Sequence, residues 1–256
     1  QFLNNKYYMS KKIIGIIPAR YNSSRFPGKP LIKILGKPMV LWVAELSSKA
    51  LGRENLFIAT DDERIKNTVE AAGFKVVMTS NSLPTGTDRL AEVARNIKSD
   101  IYINIQGDEP TIDPNFITKV VEKKINNPES VICAMSKLNS SDDVFNVNIP
   151  KVIVNENTDM VYMSRLAIPG FKNEVNKPKF YYKQVCIYAF NRKQLLSFSD
   201  FGRKSKLEKC EDIELLRFLD LKTSIKMVEV EGISYAIDVK EDIDIVTKRL
   251  IEIHKI

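Results

Sequence analysis

Near the N-terminus, Ile13-Ile14-Gly15-Ile16-Ile17 is an apolar run with no polar alternation. A strand with one wet face alternates, whereas a strand covered on both faces does not, so this run belongs inside a parallel sheet flanked by helices. The rhythm continues downstream. Strand-like segments at 56–59, 75–78 and 101–106 alternate with helix-patterned segments at 39–49, 62–72 and 89–97. Such βαβ repetition with right-handed crossovers predicts a mostly parallel α/β sheet with helices on both faces. From about 128 to 192 the pattern turns strand-rich (130–137, 151–155, 181–190) and includes a charged stretch at 172–179. This region is expected to form an antiparallel extension or a dimer-forming arm. A helix at 207–219, a strand at 225–229 and a helix at 241–253 return the chain to the sheet.

A chain of 256 residues, 44% hydrophobic and 28% charged, can bury a full core as one domain, here 13–256. Residues 1–12 read as a leader or disordered N-terminus, with Met9 as the native start. The formal charge of +7 is spread along the chain without a dense basic block, so nucleic acid is permitted but not indicated. Cys133, Cys186 and Cys210 are far apart and form no C-x-x-C pair, which argues against a zinc site and a disulfide framework. A reducing cytoplasm fits that usage. No apolar stretch reaches membrane-spanning length. The single histidine, His254, is expected at the surface.

Ligands of open α/β sheets collect beyond the carboxyl ends of the strands. After the first strand, Pro18 is expected to end the ladder. Arg20, Arg25 and Lys29 follow within ten positions, among Ser23, Ser24 and Gly28. Clustered cations with hydroxyls and close backbone approach suit a polyphosphate; a solvated basic loop is the alternative. The loop is not a P-loop, because Pro30 follows Gly28-Lys29, and G-x-G-x-x-G is absent. After the fourth strand comes Gln106-Gly107-Asp108-Glu109-Pro110. Asp108 stands where Mg²⁺ bridging to a nucleotide phosphate would be held, or is a plain turn aspartate. Asp238, at a strand-to-helix junction, is the candidate second carboxylate or merely a helix N-cap.

These motifs, together with Gly36-Lys37-Pro38-Met39, Ala59-Thr60-Asp61, Gly86-Thr87-Asp88-Arg89-Leu90-Ala91-Glu92, Ser164-Arg165, Ile187-Tyr188, Leu207-Glu208, Glu211 and Asp238, closely resemble the 3-deoxy-manno-octulosonate (Kdo) cytidylyltransferases. The resemblance runs from Ile13 to the end of the chain. It implies a Rossmann-like nucleotidyltransferase sheet with an antiparallel dimerisation extension, in a Mg²⁺-dependent cytoplasmic homodimer. The implied reaction joins CTP to an ulosonic acid, giving the CMP-sugar for lipopolysaccharide biosynthesis, or for a capsule, and pyrophosphate. It assigns Arg20 and Lys29 to the triphosphate, with Ala19, Ser24, Arg25, Thr87, Asp88 and Arg89 around the nucleotide. Asp108 and Asp238 would hold the metal. Gln106, Arg165, Gln184 and Glu214 would meet the sugar, Arg165 through its carboxylate.

The chain departs from the family at the sugar end. Where relatives carry Arg-His-hydrophobic-Gly-Ile-Tyr, this sequence reads Lys183-Gln184-Val185-Cys186-Ile187-Tyr188. Leu215 stands in place of a glutamine after Glu214, and Lys209 in place of another histidine. Lost polar contacts can mark a changed substrate, so drift among Kdo enzymes and a different acid, such as 8-amino-Kdo or an acylneuraminate, both stay open. A basic nucleic-acid-binding module is the alternative from another class.

Overall fold

In the computed structural model, residues 11–22, 26–139, 143–232, 234–237 and 239–255 are described. Ser24, Arg25 and Asp238 lie outside the described residues, as do residues 1–10. The apolar run forms β1 (Ile13–Ala19), with Ile14 and Ile16 in one core cluster and Ile17 in the other. Both faces of the strand are therefore covered, as the missing alternation requires.

The chain continues through a small hairpin, β2 (Lys33–Ile34) and β3 (Lys37–Pro38), into α1 (Met39–Leu51). Then come β4 (Leu56–Thr60), α2 (Glu63–Ala71), β5 (Lys75–Met78), α3 (Gly86–Asn96), β6 (Ile101–Ile105) and α4 (Pro114–Asn126). The second half supplies β7 (Val131–Lys137), β8 (Lys151–Val154), β9 (Met160–Ser164), β10 (Tyr182–Phe190) and α5 (Arg192–Asp200). It closes with α6 (Lys206–Glu211), α7 (Arg217–Asp220), β11 (Ile225–Glu229) and α8 (Asp242–His254). The main sheet runs β11-β7-β10-β6-β1-β4-β5, and β10 is antiparallel to both of its neighbours. The strand-rich stretch is thus divided. β7 and β10 are members of the main sheet, while β8 and β9 form an antiparallel outgrowth from the start of β10.

Three local readings are corrected. Pro18 does not end β1: the ladder with β6 stops at Ile16, but Pro18 and Ala19 still pair with Ala59 and Thr60 of β4. Proline removes one donor, which a strand tolerates where its partner on that side has already left. The helix expected from Arg89 begins at Gly86, because the Thr85 hydroxyl caps it by accepting from the Asp88 N–H at 3.1 Å. The expected helix 207–219 is broken. Asp212 adopts a left-handed conformation (φ 51°), and a 3-10 turn at Glu214–Leu216 intervenes before α7.

That break lets three charged side chains meet inside the protein. Arg217, fully buried, donates to Glu208 at 2.6 and 2.7 Å and to Asp88 at 3.2 Å, and stacks over Phe198. The network ties α6 and α7 to the first turn of α3. His254 is also corrected: its ring is half-buried against Trp42, 5.0 Å between centroids. Burial, then the nearby Lys49 and Lys37, holds its pKa below the usual value. Through Trp42, Met39, Val246, Leu250 and Ile237, α8 packs on α1 and on the segment that approaches the site.

Removing Arg217 strands two buried carboxylates, and breaking a buried pair from one side costs about 3–5 kcal/mol. Urea unfolding of Arg217→Met is expected to show a loss of that order. Arg95→Met, which removes the exposed pair with Asp200 (side chains 45% and 69% exposed), is expected to change stability by about 1 kcal/mol or less.

Candidate active site

Two adjoining cavities open where the parallel strands end. The first, about 440 Å³, is bounded by Ala19, Arg20 and Lys29 after β1, by Pro84, Thr85 and Gly86 at the entry to α3, and by Lys204 from across the cleft. The second, about 690 Å³, is bounded by Arg165, Gln184, Cys186 and Tyr188. Gln106, Asp108, Asp212 and Glu214 line both, so the turn after β6 and the broken helix form the wall the cavities share.

Close packing sets the turn after β6. A Cβ on Gly107 would lie 2.8 Å from the Pro18 carbonyl oxygen, so only glycine lets the Asp108 turn pass this close to the first loop. Asp108 accepts from Lys29 Nζ at 2.7 Å, and the same ammonium donates to the Ile237 carbonyl at 2.8 Å. The Ile237 N–H donates to the Asp108 carbonyl at 2.9 Å, and the Tyr235 N–H to the Thr111 hydroxyl at 2.8 Å. The described chain therefore reaches Ile237 firmly stitched beside Asp108; Asp238 itself is outside it. On the other side of Lys29, Gly28 takes a left-handed conformation (φ 75°) and its N–H donates to the Tyr21 carbonyl at 2.8 Å. Arg20 donates to the Leu83 carbonyl at 2.7 Å, linking the first loop to the approach to α3.

Ala19, Arg20, Lys29, Gln106, Asp108, Arg165, Gln184 and Glu214 are thus brought together around the paired cavities. Thr87, Asp88 and Arg89 are placed differently. They form the first turn of α3 and are buried: Asp88 faces Arg217, while Arg89 bonds Thr79 and, at 3.2 Å, Asp61. Burial lowers the pKa of Arg89, and Asp61 opposes that shift. What faces the cavity here is the residue pair before them, Thr85 and Gly86.

Glu214 has a role the sequence did not signal. Its carboxylate accepts from the Gly86 and Thr87 N–H groups at 3.1 and 2.9 Å and from the Thr87 hydroxyl at 2.5 Å. It caps α3 from another element, and only the break at Asp212 turns it that way. Arg165 is likewise held by backbone: it donates to the carbonyls of Glu211, Val147 (2.9 Å) and Asp212 (3.1 Å), while Glu211 accepts from its N–H at 2.9 Å. Gln184 donates to the Tyr188 hydroxyl at 3.0 Å. Burial raises the pKa of both Cys186 and Tyr188, so each is neutral near pH 7 and neither serves as an anionic nucleophile. Of the departures from the family pattern, Gln184 and Cys186, which stands in place of a glycine, face the second cavity. Leu215 is fully buried in the core beside Phe218 and Leu216, and Lys209 is exposed outside both cavities.

Comparison with known proteins places this geometry. Residues 14–226 match the family described as cytidylyltransferase. The 3-deoxy-manno-octulosonate cytidylyltransferase of Geobacter metallireducens is 39% identical over 249 residues, covering 93% of this chain and 98% of that one. The Escherichia coli enzyme of the same name is 39% identical over 230 residues, covering 90% and 92%. A solved structure of CMP:2-keto-3-deoxy-manno-octonic acid synthetase complexed with CTP superposes with a TM-score of 0.87 at 35% identity, covering 96% of this chain and all of that one. A glucose-1-phosphate thymidylyltransferase from Bacillus anthracis, at 17% identity and TM-score 0.65, shares the fold alone. With the match spanning nearly the whole chain, this protein belongs to the cytidylyltransferase family, and within it to the 3-deoxy-manno-octulosonate cytidylyltransferases.

Proposed function

We propose that the chain transfers CMP from CTP to the anomeric hydroxyl of Kdo, releasing pyrophosphate. One observation carries the reading: a cavity bearing Arg20 and Lys29 opens into a second polar cavity, with Asp108 on their shared wall. A nucleotide in the first cavity and a sugar acid in the second bring an α-phosphorus and an attacking hydroxyl together beside Asp108. The reaction is a direct displacement, so catalysis consists of positioning and of neutralising charge that builds on the phosphate oxygens. Arg20 and Lys29 supply that neutralisation.

Residues 84–86 serve the base and ribose rather than the phosphates. A helix N-terminus ordinarily attracts phosphate, but Glu214 already fills this one with a carboxylate. In the second cavity Gln106 and Gln184 offer hydrogen bonds to sugar hydroxyls, and the N–H groups of Arg165 not engaged by the three carbonyls face the acceptor carboxylate.

The residues present suit Mg²⁺, which takes one or two carboxylates and completes its shell with phosphate and water. Asp108 is one such carboxylate, on the wall common to both substrates. Asp238 is assigned as the second by the family resemblance. When bound, the metal would polarise the α-phosphate and screen the repulsion between two anionic substrates.

The homodimer is also proposed. Val161, Leu166, Phe171, Val175 and Phe180, on β9 and the connection to β10, are large apolar side chains left exposed, as a subunit interface would require. A cytoplasmic location accords with three free cysteines, and a role in lipopolysaccharide assembly follows from the acceptor.

Kdo is preferred over its variants because Leu215 lies in the core, so the missing glutamine removes no contact from the second cavity as built. In a pyrophosphate-release assay with CTP, Kdo is expected to be the best acceptor, ahead of 8-amino-Kdo and an acylneuraminate. A clear preference for either of the others would overturn the assignment. Asp108→Asn is expected to lower kcat by about 100-fold or more, the scale of removing one transition-state electrostatic contact. Leu215→Gln is expected to destabilise the fold by about 1–3 kcal/mol through an unpaired buried amide, without lowering the KM for Kdo.

A further inference from the structure

We infer that Lys204 is a third cation of the nucleotide cavity, parked on Asp212 and transferred to the triphosphate when CTP binds. The inference rests on the proposed function and extends it to a residue that the sequence motifs did not mark. Lys204 lies in the connection between α5 and α6 and lines the first cavity but not the second. Its backbone is well anchored, because the next residue, Ser205, is fully buried and caps α6 in a reciprocal box with Glu208. The side chain is not: its ammonium lies 2.6 Å from the Asp212 carboxylate in a pair whose side chains are 37% and 72% exposed.

Two considerations make this pair a holding position. A solvated ion pair is weak, so a polyanion entering the cavity can outcompete one carboxylate for the lysine. Asp212, the left-handed residue at the break between α6 and the 3-10 turn, carries the same sign of charge as a triphosphate and does not follow, whereas the ammonium sits on a flexible four-carbon stem.

The cavity also has use for another cation. Arg20 is engaged with the Leu83 carbonyl, and Lys29 is shared between Asp108 and the Ile237 carbonyl. Both therefore meet the triphosphate with part of their donor capacity committed. Arg165 cannot help, as it lines the other cavity and is held by three carbonyls.

The test is a double-mutant cycle on the full-length chain. CTP affinity is measured by calorimetry with Mg²⁺ and no acceptor, and the KM values for CTP and Kdo are measured separately. Lys204→Ala is expected to weaken CTP binding roughly 5-fold, the scale of one charge-assisted contact at a solvated site, with the KM for Kdo unmoved. Asp212→Asn, which suits the left-handed backbone, is expected to tighten CTP binding by releasing the lysine. In the Lys204→Ala background that gain should vanish, which separates release of the lysine from simple removal of a negative charge.

A purely structural salt bridge predicts that both single variants weaken binding alike, and that result would overturn the inference. So would unchanged CTP affinity in Lys204→Ala, or an effect confined to the KM for Kdo. A wild-type chain that binds no CTP would overturn this inference and the proposed function together; normal wild-type binding with unaffected variants would overturn this one alone.

Discussion

The contact between Lys29 and Asp108, 2.7 Å long, joins the two halves of the site. One partner comes from the loop after the first strand and the other from the turn after β6, 79 residues later. Their meeting depends on Gly107 passing within van der Waals range of the Pro18 carbonyl, and on the Ile237 backbone bonding to both partners. Opposite charges paired in this way hold each other in place in the absence of substrates. In the proposed reaction, a phosphate would take Lys29 and a metal would take Asp108. The open sheet provides the geometry, since adjacent parallel strands β1 and β6 end side by side.

A second layer of charge supports the first from behind. Arg217, Glu208 and Asp88 form a buried network that fixes the start of α3 against α6 and α7, and Glu214 caps the same helix from the cavity side. The residues facing the first cavity at 84–86 are therefore positioned by a buried network that does not itself line it and by Glu214, which does. This accounts for Asp88 and Arg89 belonging to a recognisable motif while pointing inward: their work is to brace the turn that precedes them.

How much of this was legible in the sequence follows from how local each cause is. β1 was legible because burial on both faces abolishes alternation within five residues, and Arg20, Lys29, Gln106 and Asp108 because they follow strand ends, where this architecture gathers ligands. The start of α3 was misread because Gly86 and Thr87 are weak helix formers, and a cap at Thr85 overrode that preference. The break at Asp212 was invisible, since 207–219 carries helical periodicity and its interruption is stabilised by partners far away in the chain: Asp88 for Arg217, Gly86 and Thr87 for Glu214. Leu215 reads in the sequence as a lost sugar contact because sequence position does not reveal which way a residue points after such a break. Lys204 carries no mark in the sequence for the same reason, as only the fold brings it to the first cavity.

In the proposed reaction charge and position alone drive the transfer, with the sugar hydroxyl attacking phosphorus directly and no side chain forming a bond to it. The stereochemical course at phosphorus tests this most directly. With CTP made chiral at the α-phosphorus by a single sulfur substitution, and Kdo as acceptor, a single displacement predicts inversion in the CMP-sugar product. Retention would reveal two successive displacements through a covalent enzyme intermediate and would rule out direct attack by the sugar.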